Sequence, residues 1–386
     1  MQVPYFRPDI TEEEVDSVSA VLRSGWISTG PVSYELENQF KNYLGLRSSL
    51  LVNSVSSATA GLHLALDALG ADKDSTVFLP TMTFTATAEV CSYMKAKIEL
   101  IDSEPEHPNI SIEILIDKID KSKAKKIYIM PVHFGGKPVD ISLIRSEVKK
   151  DIYIVEDAAH AFPAKLNGAL VGTLDSDATV FSFYANKTMT TGEGGMVISA
   201  SESIGSRIRM MRSHGIDRNA FDRFQGTRQK SWKYDVLAPG YKYNLSDVLA
   251  AIGVVQFRKA DLMKAKRAQI ASIYSKAFAN LPFKMPSMDD HMFESSWHLF
   301  SIEIEESFSK NRDQVMDELS ILGVQTSLHY IPLHHFSFWK SSLDLAMHEF
   351  PNAEKRFTST ISLPIFPNMS ELEIQYVIES VIKIFA

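Results

Sequence analysis

The chain has 386 residues, 45% hydrophobic and 23% charged, with 40 Lys and Arg against 47 Asp and Glu, a formal charge of −7. That length exceeds the size at which one hydrophobic core usually stops growing, so two domains are the default. The acidic balance, with no long basic cluster, argues against a nucleic-acid partner, and the absence of any apolar run of spanning length argues against membrane insertion. The single cysteine, Cys91, excludes an intrachain disulfide and fits a reducing cytoplasm. The opening MQVPYFRPDITEEEV lacks the apolar core and small-residue cleavage pattern of a secretory leader.

In chain order, apolar runs alternate with helical patterns, as in α/β proteins. SLLVNS reads as a strand and SSATAGLHLALDAL as a helix opened by serine and threonine. TVFLP reads as strand, TATAEVCSYMK as helix, and KIELID, KKIYIMPVHF, DIYIVEDAAHA, ATVFSFYA and GGMVISA as further strands. Several are apolar almost throughout, as strands covered on both faces are. From Ser213 to Tyr243 periodicity is lost in a segment rich in Arg, Gly, Tyr and Trp. A loop of that length inside a compact domain is usually functional or an intersubunit arm. From Ser246 a long helical pattern leads away, and the remainder, with strands HLFSIEI and VQTSLHY between helices, reads as a smaller α+β domain. The expected division is a large domain over 1–255, carrying the arm 213–243, and a small domain over 256–386.

Open α/β sheets place their ligands at the strand exits. There, Lys187 follows FSFYAN, Asp157 and His160 follow IYIV in EDAAHA, and Ser57, Ala58 and Thr59 open a helix after LLVNS. A lysine buried at a strand end is costly unless paired, neutralised or covalently bonded. A helix N-terminus with Ser and Thr can hold a phosphate. Pyridoxal phosphate needs all three parts: a Schiff-base lysine, a carboxylate for its ring nitrogen and an anion site. Taken singly, each has a blander reading: a surface lysine, a helix-capping Asp157, a core His160, an ordinary helix start. TGEGG has no following Lys-Ser or Lys-Thr and does not support a nucleotide P-loop. His329, His334 and His335 in LHYIPLHHF match no established zinc spacing, so no metal is expected.

Taken together, the chain resembles the DegT/DnrJ/EryC1/StrS family of nucleotide-sugar aminotransferases, and within it the UDP-4-amino-4-deoxy-L-arabinose aminotransferase branch. SGWISTGP, SSATAGLHLAL, PVHFGGKPVD, EDAAHA, FSFYANKTMTTGEGGM, VLAPGYKYNLSDVLAAIG, SWHLF, LHYIPLH and ISLPIFPNMSE occur in the family's order, almost end to end. The resemblance implies a fold-type I pyridoxal-phosphate-dependent aminotransferase, with a mixed, mostly parallel sheet between helices and a small α+β C-terminal domain. It also implies a cytoplasmic homodimer with shared active sites. Lys187 would be the Schiff-base lysine and general acid/base, Asp157 would pair with the pyridine nitrogen, and His160 would lie against the phenolic oxygen. Phe84 would cover a ring face, and Ala58, Thr59 and Ser182 would surround the phosphate. Lys242 stands where the family reaches the phosphate of the neighbouring subunit's cofactor, so that contact would be ionic. Tyr5, Ser28, Thr29, His329 and Tyr330 would line the substrate side, and Tyr184 replaces a frequent family histidine. The implied reaction moves an amino group from glutamate to a nucleotide-linked 4-keto sugar, for an amino sugar of a surface polysaccharide, lipopolysaccharide among them, or a glycan. Arg228 and Lys230 in the arm are candidate partners for the sugar's diphosphate. Two alternatives remain open: a pyridoxal-phosphate enzyme of this fold acting on a 3-keto sugar nucleotide, and a non-catalytic sensor, which would have lost Lys187 or Asp157.

Overall fold

Seven of the apolar runs form one sheet in the computed structural model, which describes residues 1–217, 233–343 and 349–385. In chain order the strands of the first half are β1 (Val52–Val55), β2 (Ser75–Pro80), β3 (Lys97–Ile101), β4 (Lys126–Ile129), β5 (Ile152–Asp157), the short pair β6 (Lys165–Leu166) and β7 (Ala169–Leu170), then β8 (Ala178–Ser182) and β9 (Gly195–Ser199). The sheet order is β1-β9-β8-β5-β4-β2-β3. β9 is antiparallel to both its neighbours, and the other six strands share one direction. The alternation of side chains along a strand loads both faces. Val77 and Leu79 of β2 pack with Leu62 and Val90 from the helices Ala58–Ala68 and Ala86–Tyr93, whereas Phe78 packs with Leu115 and Ile144 from the helices on the other side.

The second half adds β10 (Phe283–Lys284), β11 (Phe293–Glu294), β12 (Phe300–Ile304) and β13 (Thr360–Leu363). β10, β12 and β13 make an antiparallel sheet, and β11 joins β6 and β7. A helix over Asp247–Ala277, capped by Ser246, links the two halves. Its Ala250, Val254 and Met263 pack with Phe40, Phe181 and Met196 below the large sheet. Its Ile270, Ala271 and Tyr274 pack with Phe300, Ile302 and Ile361 of the second core. The expected boundary at 255/256 falls inside this continuous helix, and we propose that the division is a hand-over between cores rather than a linker.

Two readings of the sequence change. VQTSLHY is not a strand: it makes only isolated bridges, Val324 to Val3 and Ser327 to Ser362. Val3 thereby enters the second core, so the N-terminus packs with the C-terminal half. Within the arm, residues 218–232 lie outside the described residues, but its two flanks bridge through Ile216 with Val236 and Ser213 with Lys242.

Candidate active site

The reversed direction of β9 brings its first residue, Gly195, opposite Ser182, the last residue of β8. Asp157 ends β5 beside Val180, and Ser57 starts a helix two residues after β1. These ends border a cavity of about 470 Å³ whose lining includes Ala58, Thr59, Phe84, Asp157, His160, Ser182, Lys187, His329 and Tyr330. On its phosphate-sized side, Ser57 Oγ accepts from Ala60 N at 3.1 Å. The amides of Ala58 and Thr59, as the first of their helix, have no intrahelical acceptor. Gly195 keeps that end open: a Cβ there would lie 2.9 Å from Ala58 N and 2.8 Å from the Phe181 carbonyl oxygen.

Lys187 is half-buried, with its Nζ 3.4 Å from His298 Nε2. Burial brings its amine down from 10.5 to about 7; Asp157 pulls the value up and Arg267 pushes it further down. Asp157 is buried, its Oδ2 accepting from the Thr87 hydroxyl at 2.8 Å and its Oδ1 from Ala159 N at 3.2 Å. Burial raises its carboxyl, and the Thr87 and Ala159 hydrogen bonds oppose the rise. Among the described residues no Lys or Arg lies within ion-pair distance of it.

His160 Nδ1 accepts from Gly135 N at 3.3 Å, which leaves the proton on Nε2, 2.9 Å from the Tyr330 hydroxyl. Burial and the Lys187 charge hold His160 well below the ordinary histidine range. Phe84 is exposed at the mouth, with its ring 6.0 Å from that of Tyr330. Tyr5 stands behind His329, ring against ring at 5.7 Å, with its hydroxyl 3.4 Å from His329 Nδ1. Its hydroxyl is pushed up by burial.

Ser28, Thr29 and Lys242 do not line this cavity. The Thr29 hydroxyl donates to the Leu245 carbonyl, Ser28 is exposed, and Lys242 is an exposed side chain on the stem of the arm. Sequence reasoning assigned no role to three residues that matter here: Thr87, which holds Asp157; His298, against Lys187; and Arg267, buried beneath both. His334 and His335 both meet Glu354 Oε1, at 2.5 and 2.6 Å, joining the turn to the helix Pro351–Ser359.

The residues fit pyridoxal phosphate: an uncovered helix N-terminus for its phosphate, a buried carboxylate with only neutral donors for its ring nitrogen, and an amine in the same cavity for its aldehyde. A model of the DegT/DnrJ/EryC1/StrS aminotransferase family matches residues 8–382. The chain is 40% identical over 387 residues to the uncharacterized protein MJ1066 of Methanocaldococcus jannaschii, covering 99% of this chain and 97% of that one. It is 33% identical over 383 residues to the spore coat polysaccharide biosynthesis protein SpsC of Bacillus subtilis, covering 98% and 96%. Among solved structures, Spr1654 of Streptococcus pneumoniae, assigned as a sugar aminotransferase, matches in its pyridoxamine-phosphate form with a TM-score of 0.90 at 29% identity, covering 100% of this chain and 98% of that one. Its pyridoxal-phosphate form matches with a TM-score of 0.88 at 28% identity, covering 100% of both. The match in sequence and in fold runs over essentially the whole chain, which therefore belongs to the DegT/DnrJ/EryC1/StrS aminotransferase family, a sugar aminotransferase with pyridoxal phosphate as its cofactor.

Proposed function

We propose that this protein moves an amino group from glutamate to a nucleotide-linked 4-keto sugar, with UDP-sugars favoured over GDP- and dTDP-sugars. The observation that carries the amino transfer is that Lys187 and Asp157 line the same cavity as the open helix start at Ala58 and Thr59, where burial lowers the Lys187 amine to about 7. Pyridoxal phosphate, when bound, supplies an aldehyde that exchanges amino groups and a ring that takes up electrons. Lys187 Nζ would anchor the aldehyde at rest and, once freed, carry the proton removed from the donor carbon. An amine neutral at working pH can accept that proton, whereas an ordinary lysine ammonium cannot.

Asp157 would keep the ring nitrogen protonated, and Ala58, Thr59 and Ser182 would bind the phosphate. His160 would lie against the cofactor's phenolic oxygen, Tyr330, its hydroxyl 2.9 Å from His160 Nε2, would line the substrate side, and Phe84 would cover the ring. His329, steadied by Tyr5, faces the side on which the sugar would lie. The description of SpsC as a polysaccharide biosynthesis protein supports an amino sugar destined for a surface polysaccharide or glycan. The active form would be a cytoplasmic homodimer in which Lys242, exposed on its own chain, reaches the cofactor phosphate of a second copy. Arg228 and Lys230, suggested above for the diphosphate, lie outside the described residues.

Two half-reactions followed by absorbance test this. Glutamate should convert the purified protein to its pyridoxamine form, and a 4-keto sugar nucleotide should convert it back, fastest with UDP. Recovery with small 2-oxo acids but with no sugar nucleotide would overturn the substrate while leaving the reaction class in place.

A further inference from the structure

Arg267 is 2% exposed, and among the described residues no carboxylate pairs with it. Its Nη1 donates to the carbonyls of Ile365 at 2.7 Å, Trp297 at 3.3 Å and His298 at 3.5 Å, and its Nη2 to the carbonyl of Asn186 at 3.5 Å. Its Nε has no partner. A buried charge is normally matched by an opposite one or lost by titration. Burial lowers this guanidinium only to about 10, so it stays charged at neutral pH. An unmatched permanent cation in a core costs stability, and its four acceptors show where it acts. Asn186 immediately precedes Lys187, and His298 places its Nε2 against the Lys187 amine. Ile365 follows β13 in the second core.

We propose that Arg267 is a positioning residue of this aminotransferase: its guanidinium fork ties the backbone before Lys187 to the His298 segment and keeps an unneutralised positive charge behind the lysine amine. The inference deepens the reading of the same site and rests on it. Among the described residues, the charged and titratable groups around that amine are Asp157 and His160 at the end of β5, His298 after β11, His329 and Tyr330, Tyr5 at the N-terminus, Tyr184 and Glu193 on either side of the lysine in its own span, and Arg267 on the long helix. Burial keeps the three histidines neutral and Tyr5 and Tyr330 protonated. The charges that shift the amine are the Asp157 carboxylate, which favours a lysine ammonium, and Arg267, which opposes it. With cofactor bound, Asp157 would face the ring nitrogen and its pull on the lysine would be taken up there. Arg267 would then add to burial in holding the freed lysine neutral, able to take a proton instead of holding one.

The test reads Lys187 without turnover. Reductive methylation with a 13C label in the cofactor-free protein, with the signal assigned by its loss in Lys187→Arg, gives the amine's titration midpoint by NMR. The wild-type midpoint should lie near 7, against 10.5 for an ordinary lysine. Arg267→Met, which keeps the volume and removes the charge, should raise it by about one pH unit. Arg267→Lys should stay near the wild-type midpoint yet melt at a lower temperature, since one ammonium cannot reach carbonyls on three segments. A folded Arg267→Met with an unchanged midpoint overturns the proposal, and so does a wild-type midpoint near the ordinary value. If Arg267→Met does not fold, Arg267→Gln takes its place, with the same two outcomes. Failure of glutamate to convert a wild-type protein whose Lys187 midpoint is low would overturn the donor assignment and leave Arg267 in its role.

Discussion

Lys187 must anchor a cofactor and carry a proton, and both tasks require an amine that is uncharged near neutral pH. That requirement has a thermodynamic signature. In the cofactor-free fold the amine titrates near 7, below its ordinary 10.5, so between those values the unfolded chain binds more protons at this group and stability rises with pH. The penalty for folding around the ammonium is complete below the lower value and gone above the upper one. Lys187→Met should therefore be more stable than the cofactor-free wild type at about pH 6, with the gap narrowing by about pH 9 in denaturant melts. A constant gap would mean that Lys187 titrates normally. For Asp157→Asn, cofactor binding should persist while kcat falls about 100-fold, a loss of about 2.7 kcal/mol of transition-state stabilisation; steady-state kinetics checks this. The residues legible in the sequence, Lys187, Asp157 and Ala58, each stand at the end of an apolar strand or a few positions beyond it. His298 and Arg267 reach the site only through tertiary packing from the second core. A signal for Arg267 was nonetheless present: it falls on the stripe Ala260, Met263, Ile270, Tyr274, where a charge on the apolar face of a helix is out of place.

Among the elements, the start of β9 and the helix Ala58–Ala68 constrain the site by a close approach of backbone to backbone. Gly195→Ala would set a methyl group against three backbone atoms, at 2.8 to 3.0 Å, none of which can rotate away. The strand and the helix end would have to separate, so we expect a loss of about 1–3 kcal/mol in stability and weaker cofactor binding, read by thermal melts and by cofactor release on dilution. Ser57→Ala, which removes the cap from Ala60 N, should cost about 1 kcal/mol. All seven strands of the large sheet were legible, several because burial on both faces makes them apolar almost throughout. The strands β6, β7, β10 and β11 were not, being two residues each. VQTSLHY looked like a strand because β-branched and aromatic residues favour extended backbone, but its neighbours are the N-terminus and Ser362, and it makes single bridges instead of a ladder.

At the scale of the whole molecule, the exposed Lys242 gives the dimer proposal its test. Lys187→Ala and Lys242→Ala chains, each inactive alone, should recover activity when mixed under exchange, since some heterodimers would hold one complete site; silence from demonstrated heterodimers would place Lys242 in its own chain's chemistry. The direction of β9 bears on how this fold can change over time. Because the strand turns back, the chain leaves β8 and re-enters the sheet at the same end of the strands, and Lys187 rides on the span 183–194 between. That span is also pinned across its base, by Phe183 N to the Gly194 carbonyl at 2.9 Å and Thr191 N to the Phe183 carbonyl at 3.0 Å. An inserted residue there has no slack to disappear into and moves the amine relative to Asp157. An insertion at the opposite end of the strands, in the connection 122–125 that enters β4, leaves the amine where it was. Length variation among descendants of this chain, natural or engineered, should accordingly collect at that far end and avoid the lysine span.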